Sequence, residues 1–175
     1  RDLDIWYVER EKNGWGEPQN VGFPVNTDNT EEWVSVSKNG NLYFNVFFRD
    51  NENTGADIYR SKLIKGQYTK PEKLEKINSE YYDGCPYIAP DESYIIYWSG
   101  RPNGYSLDSD LYINFRKKDG SWSHAVNLRK TINMGEAGCP GMSPDNKYFF
   151  FRYRTNGIDD LYWVDASVIN ELKKK

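Results

Sequence analysis

The chain repeats itself, and the repeat limits what it can fold into more than any other feature. An acidic residue, Ile or Leu and an aromatic follow one another at Asp4-Ile5-Trp6, Asp57-Ile58-Tyr59, Asp110-Leu111-Tyr112 and Asp160-Leu161-Tyr162, spaced 53, 53 and 50 residues apart. An aromatic marks a turn after the third strand at Trp15, Tyr68 and Trp122, spaced 53 and 54. An apolar residue followed by asparagine recurs at Val25-Asn26, Ile77-Asn78 and Ile132-Asn133. Three independent markers with one period define a unit of supersecondary structure that buries its apolar faces by stacking on its neighbours.

Each full unit reads as four short strands. In the second these are Cys85 to Ala89, Tyr94 to Trp98, Asp110 to Phe115 and Ala125 to Leu128, joined at Pro90-Asp91, Pro102-Asn103-Gly104 and Asp119-Gly120. Proline sets the first corner of a turn, and Asn, Asp and Gly accept the left-handed conformations that hairpins need. Aromatics make up 16% of the residues, with 14 Tyr and 6 Trp, a balance that suits pleated, half-buried faces. A 3.6-residue apolar period is absent except in the last residues, which excludes a helical solenoid. Four antiparallel strands every fifty or so residues are the signature of β-propeller blades, so the fold class is all-β.

The pattern Ser-Pro-Asp-x-x-Tyr, an aromatic strand, Arg, a Gly-bearing loop and Asp-Ile/Leu-Tyr resembles the WD40-like PD40 repeats of bacterial TolB-like propellers. Its best copies run from Ser143-Pro144-Asp145 to Tyr162 and from Pro90-Asp91 to Tyr112, while the first has Lys38-Asn39-Gly40 where Pro-Asp-Gly is usual. The resemblance covers nearly the whole chain. It implies a propeller, and it implies an extracytoplasmic location, periplasmic, secreted or lipoprotein-anchored. It says little about activity, because one architecture hosts many roles.

The repeat divides the chain into strands three and four of one blade (1–26), two complete blades (27–78 and 79–133) and a last blade with a C-terminal tail (134–175). That is about three and a quarter blades, whereas closed propellers have at least four. The chain is therefore expected to be part of a longer propeller, or an arc that closes by assembly, as two copies about a two-fold axis would. An open arc leaves aromatic edges able to pair with another chain. The ending "DLYWVDASVINELKKK" exchanges a fourth strand for a short amphipathic helix, as a true C-terminus would.

A net charge of −3 argues against nucleic-acid or anionic-membrane partners, and the basic run Lys173, Lys174, Lys175 reads as a solvated tail. No apolar run approaches the roughly 18 residues of a membrane span. The chain starts at Arg1 without an apolar leader, which fits a signal peptide either removed or never included. Cys85 and Cys139 occupy the same position of different repeats, without metal-ligand spacing. A bridge between them is a minor alternative to two free thiols. With one histidine a zinc site has no material, and no metal or cofactor is expected. A Ser-His-Asp triad is conceivable on paper, but His124, near the start of an outer strand, reads as an exposed surface residue.

Repetition separates structure from candidate function. A residue found in every blade does what every blade needs. On that ground Arg49 with Asp57, Arg101 with Asp110 and Arg154 with Asp160 read as structural clamps, and Asp91 and Asp145 as turn residues. The loop Asp50 to Asp57 alternates oxygen ligands ahead of a glycine as calcium loops do, but it lacks the distant bidentate glutamate and reads as a polar hairpin tip. The residues expected just before each innermost strand would ring one mouth of the channel. Glu31, Glu32, Trp33, Tyr82, Asp83, Tyr87 and Glu136 then form an acidic and aromatic arc. Such an arc suits a cationic, sugar-like or basic-peptide ligand. The plainer reading has the same acids bonding neighbouring backbone amides.

The sequence thus reads as a non-enzymatic binding module, a TolB-like propeller presenting its channel mouth or an edge to a protein or glycan. A second copy or further blades are possible partners. The alternative is an accessory or catalytic part of a hydrolase or lyase whose active residues lie in other blades or a partner chain.

Overall fold

A computed structural model of the protein describes residues 3–48, 55–102, 104–105, 109–129, 132–133 and 135–173. Strands β1 (Trp6–Tyr7) and β4 (Gln19–Asn20) pair around a small hairpin, β2 (Arg10–Glu11) with β3 (Gly14–Trp15). Then come β5 (Thr30–Val36), β6 (Leu42–Phe47) and β7 (Ala56–Ser61), a second small hairpin of β8 (Leu63–Ile64) with β9 (Gln67–Tyr68), and β10 (Glu72–Lys73). Strands β5, β6, β7 and β10 form one antiparallel four-stranded sheet. The next is β11 (Asp83–Ile88), β12 (Tyr94–Ser99), β13 (Asp110–Phe115) and β14 (Val126–Asn127), with an Arg116–Trp122 bridge in place of the small hairpin. Strands β15 (Glu136–Met142), β16 (Tyr148–Thr155) and β17 (Ile158–Asp165) form a three-stranded sheet, followed by helix α1 (Ser167–Lys173). This is the four-stranded blade expected from the repeat, and the chain is a partial β-propeller.

The core lies between sheets. Along β12, Ile95 and Tyr97 join Tyr43, Ile58 and Ile88 on one side, while Ile96 joins Leu111, Phe149 and Phe151 on the other. The same alternation on β6 sends Tyr43 toward the following sheet and Phe44 toward Ile5 and Val25 of the preceding one. Successive side chains of a strand point to opposite faces, so a strand covered on both faces reads as a continuous apolar run. Ile169 and Leu172, three apart on one face of α1, close the last core layer. The Asp165 side chain accepts the Ser167 N–H at 2.8 Å and starts that helix.

The apolar-Asn marker has a physical origin. Asn133 accepts the Leu111 N–H at 2.9 Å and donates to the Leu111 carbonyl at 3.1 Å, so its amide pairs with the third strand as a neighbouring strand would. Asn78 does the same to Ile58 (2.7 and 2.9 Å) and Asn26 to Ile5 (2.9 and 3.0 Å). The preceding Val25, Ile77 and Ile132 are buried beneath. The acidic residue of the other marker is tied to the fourth strand. Asp4 accepts from Asn20 (2.7 Å), Asp57 from Lys73 (2.6 Å) and Asp110 from Asn127 (2.6 Å).

Those bonds correct the expected clamps. Arg101 pairs with Asp83 at 3.1 Å instead of Asp110, and also donates to the Ile77 carbonyl at 2.8 Å. Its guanidinium lies over Tyr112 and Tyr97, 4.9 and 5.6 Å from the ring centres. Arg154 takes Asp159 in a bidentate pair, 3.1 and 2.7 Å, and Asp160 beside it is exposed. Spacing alone cannot say which nearby carboxylate a guanidinium reaches, and the repeated aspartate already had a fourth-strand partner. Arg49 and the calcium-like stretch 50–54 lie outside the described residues. His124 is exposed, as expected, and Asp91 and Asp145 bond turn amides, of Ser93 at 3.0 Å and Lys147 at 3.2 Å.

Replacing Asn133 by Ala strips a buried N–H and a buried C=O of their partners at once. Asn133→Ala is expected to lower unfolding free energy by about 2–4 kcal/mol, and Asn133→Asp by at least as much, because it sets a buried carboxylate oxygen against the Leu111 carbonyl and Asn127 Oδ1. Urea denaturation of the two variants measures the difference.

Candidate functional site

The three first strands β5, β11 and β15 share a bulge. Pairing with the second strand slips between Glu32 and Ser35, between Gly84 and Tyr87, and between Gly138 and Gly141. At each slip a non-glycine residue takes a left-handed conformation: Trp33 at φ 53°, Cys85 at φ 48° and Cys139 at φ 49°. Such a conformation costs an L-residue roughly 1–2 kcal/mol, and a bulge re-aims the side chain that carries it. Repetition makes the bulge part of the blade. The side chains placed on it differ.

These side chains line one cavity of about 300 Å³, with Glu32, Asn45, Phe47, Tyr82, Trp98 and Arg152 in the same wall. Strand register explains the set. Asn45 lies opposite Glu32, Trp98 opposite Gly84 and Arg152 opposite Gly138, so each of three successive sheets contributes a bulge residue and the second-strand residue facing it. A Cβ on Gly138 would stand 3.1 Å from the Arg152 guanidinium, so glycine lets that side chain lie across the strand. Asn45 ties two sheets together by accepting the Cys85 N–H at 3.2 Å.

The walls are aromatic, and the charges are few. Tyr82 stands edge-on to Trp98, ring centres 4.7 Å apart, and to Phe47 at 5.1 Å. Burial, then the charge of Glu32, pushes the Tyr82 hydroxyl up to about 12. The Trp98 indole N–H is buried without a hydrogen-bond acceptor among the described residues. Among the described residues Glu32 receives only a 3.4 Å contact from Asn45, and Arg152 donates to Asp159 at 2.7 Å. The Cys85 and Cys139 thiols are both free and stand in the same cavity wall. The neighbouring Cys85 thiol and the Arg152 guanidinium lower the pKa of Cys139 against the opposing effect of burial, whereas Cys139 and burial push the Cys85 thiol up.

The expected mouth residues separate into two groups. Glu32, Trp33 and Tyr82 line the cavity. Glu31 and Asp83 are fully buried and face inward. Glu31 accepts the Thr27 N–H and hydroxyl, and Asp83 the Ser79 N–H and hydroxyl, so both brace the loop entering their strand. Tyr87 packs on Tyr94 in the core. Glu136 lies 4.0 Å from Arg154 outside the cavity wall. By register Ala137, not Glu136, matches Glu31 and Asp83, because the chain from Asn133 to the strand is one residue shorter. Apart from Tyr82, which precedes β11 by one residue, these residues fall within the first strands. The sequence reading missed Asn45, Phe47, Trp98 and Arg152. Asn45, Trp98 and Arg152 share one repeat position yet differ in type, and that break in repetition was the available signal.

Asp83 is the buried brace on which the Tyr82 side of the cavity depends. Removing it leaves Arg101 unpaired and the Ser79 N–H without an acceptor. Asp83→Ala is expected to cost about 3 kcal/mol, whereas Asp159→Ala at the exposed pair should leave the urea midpoint close to wild type.

No family model and no curated protein matches the chain. Solved structures do. TolB from Acinetobacter baumannii superposes with a TM-score of 0.58 at 16% identity, over 94% of this chain and 38% of that one. A putative TolB from Agrobacterium tumefaciens gives 0.58 and 16% over 86% of this chain and 50% of that one. The chain spans half or less of the length of these relatives, and it has the fold of the TolB-like propellers.

Proposed function

We propose that this protein is a binding module that receives a protein ligand in the cavity at the bulges of its first strands. One observation carries the reading. Trp33, Phe47, Tyr82 and Trp98 converge from neighbouring sheets on a single cavity whose charged members are Glu32 and Arg152. Trp, Tyr and Arg are the side chains that dominate protein interfaces, since they bury large area with few rotamers to freeze. An apolar wall with a few placed polar groups is also the usual make-up of a ligand site. Nothing in that wall requires the ligand to be chemically changed.

The ends of the arc belong to the same proposal. Leu161 is 74% exposed, with Ile158 and Trp163 beside it on β17, and Trp6, Val34 and Val36 are exposed at the other end. Equivalent faces inside the arc are buried against the next sheet, as Leu111 of β13 is. These ends suit further blades, supplied by a second copy or by additional chain, that would close the ring around the cavity. An extracytoplasmic location follows from the TolB-like resemblance and is part of the reading.

Arrays of peptides and of glycans test it. A peptide hit is expected to perturb the Trp33 and Trp98 indole signals in NMR spectra and to bind at least tenfold more weakly to Trp98→Ala, with unfolding midpoints confirming that the variant folds. Hits confined to glycans would transfer the site to a sugar ligand. Hits that shift only Ile158, Leu161 and Trp163 would remove the cavity from the interface.

A further inference from the structure

Cys85 and Cys139 belong to different blades, yet each occupies the left-handed position of its strand's bulge, at φ 48° and 49°, and these equivalent positions open onto one cavity. Both are half-buried in the wall of the same cavity and both are free. Each thiol is among the groups that act on the other's acidity, so the two lie within interaction range. A disulfide requires sulfurs about 2.05 Å apart, so the bonded state needs the two side chains to turn toward each other across that wall.

We propose that Cys85 and Cys139 form a reversible redox pair, which joins two adjacent blades by a disulfide across the cavity wall when it meets a low-molecular-weight disulfide. The pair stands on its own geometry and does not depend on the binding reading. The two thiols have different environments. Around Cys139 are the Cys85 S–H, the Arg152 guanidinium and, opposing them, the Asp159 carboxylate; around Cys85 are Cys139, Glu32 and Tyr82. Arg152 is anchored for the role by Asp159 at 2.7 Å and by lying across Gly138. Cys139, beside the Arg152 guanidinium, is thus the more acidic of the two thiols and the better placed to attack first. Thiolates, not thiols, attack disulfides.

The steps balance. The Cys139 thiolate attacks one sulfur of the small disulfide, forming a mixed disulfide and expelling one small thiolate, which takes up a proton. Consumption of the Cys139 thiolate lets Cys85 release its proton. The Cys85 thiolate attacks Cys139 Sγ, forms the Cys85–Cys139 bond and expels the second thiolate, which is protonated in turn. Two protein thiols are oxidised, and one small disulfide is reduced to two thiols. A small dithiol reverses the exchange.

Glutathione disulfide titrated into the reduced protein, followed by intact mass and peptide mapping, tests the pair. The wild type is expected to lose two hydrogens and carry a Cys85–Cys139 cross-link with only transient mixed disulfide. Cys85→Ser should accumulate the mixed disulfide on Cys139, while Cys139→Ser should stay unmodified over the same interval. In the untitrated protein, iodoacetamide should label Cys139 faster than Cys85 at pH 7 by on the order of tenfold or more, and Arg152→Gln should slow that labelling several-fold. Two separate mixed disulfides on the wild type would overturn the proposal. So would equal labelling of the two thiols, or thiols that stay free in the folded protein while the urea-unfolded chain reacts.

Discussion

An asparagine side chain carries the donor and the acceptor of a peptide group, and in three successive units it is used as one. Asn26, Asn78 and Asn133 each pair with the backbone of the third-strand residue after the repeated aspartate. The fourth strands are only two residues long, too short to secure a sheet edge by their own ladder. The amide extends that edge by one more rung. Because the Asn follows a buried Val or Ile, the same rung fixes where the chain turns inward to begin the next blade. Everything nearer the axis, including the bulges, is positioned from there.

The bulges are the next link. A strand close to a propeller's axis has little room for a full ladder, and slipping one pairing turns a side chain out of the pleat. The conformational cost recurs at Trp33, Cys85 and Cys139, so it is borne by the blade design and not by one site. What varies is the cargo. The sheet carrying Trp33 contributes an indole and Asn45, the next a thiol and Trp98, the last a thiol and Arg152. One scaffold operation repeated three times builds a cavity whose wall has no internal symmetry.

Much of this was legible in the sequence, and for local reasons. Turn residues, the apolar-Asn marker and the aspartate before the third strand all act within one blade, so their spacing survives as a period. What failed required knowing which strand faces which. Arg101 was matched to Asp110 by proximity in sequence, but register brings Asp83 to it. Glu136 was aligned with Glu31 and Asp83 although the loop before it is one residue shorter, and the aligned residue is Ala137. Glu31 and Asp83 were grouped with Glu32 and Tyr82, yet adjacent residues of a strand face opposite ways, so they divide between core and cavity. Asn45, Trp98 and Arg152 went unseen because attention rested on first strands, whereas a cavity between strands needs both partners of each pair.

The cysteines show how far the repeat could have been taken. Residues at one position of consecutive blades are related by rotation about the propeller axis, so their separation depends on distance from that axis. At the rim, equivalent residues such as Tyr68 and Trp122 belong to separate core clusters. Nearer the axis the same relation brings them onto one cavity, whose wall holds the thiols at the bulges of β11 and β15. Equivalence in sequence plus an inner-strand position therefore implies proximity in space. Arg152 completes the argument. It faces the bulge from the second strand, lines the cavity and lowers the pKa of Cys139, so cavity and thiol pair share this cation. Any group bound against Arg152 alters the charge that Cys139 feels, and any bond between the thiols alters the wall that the group would meet.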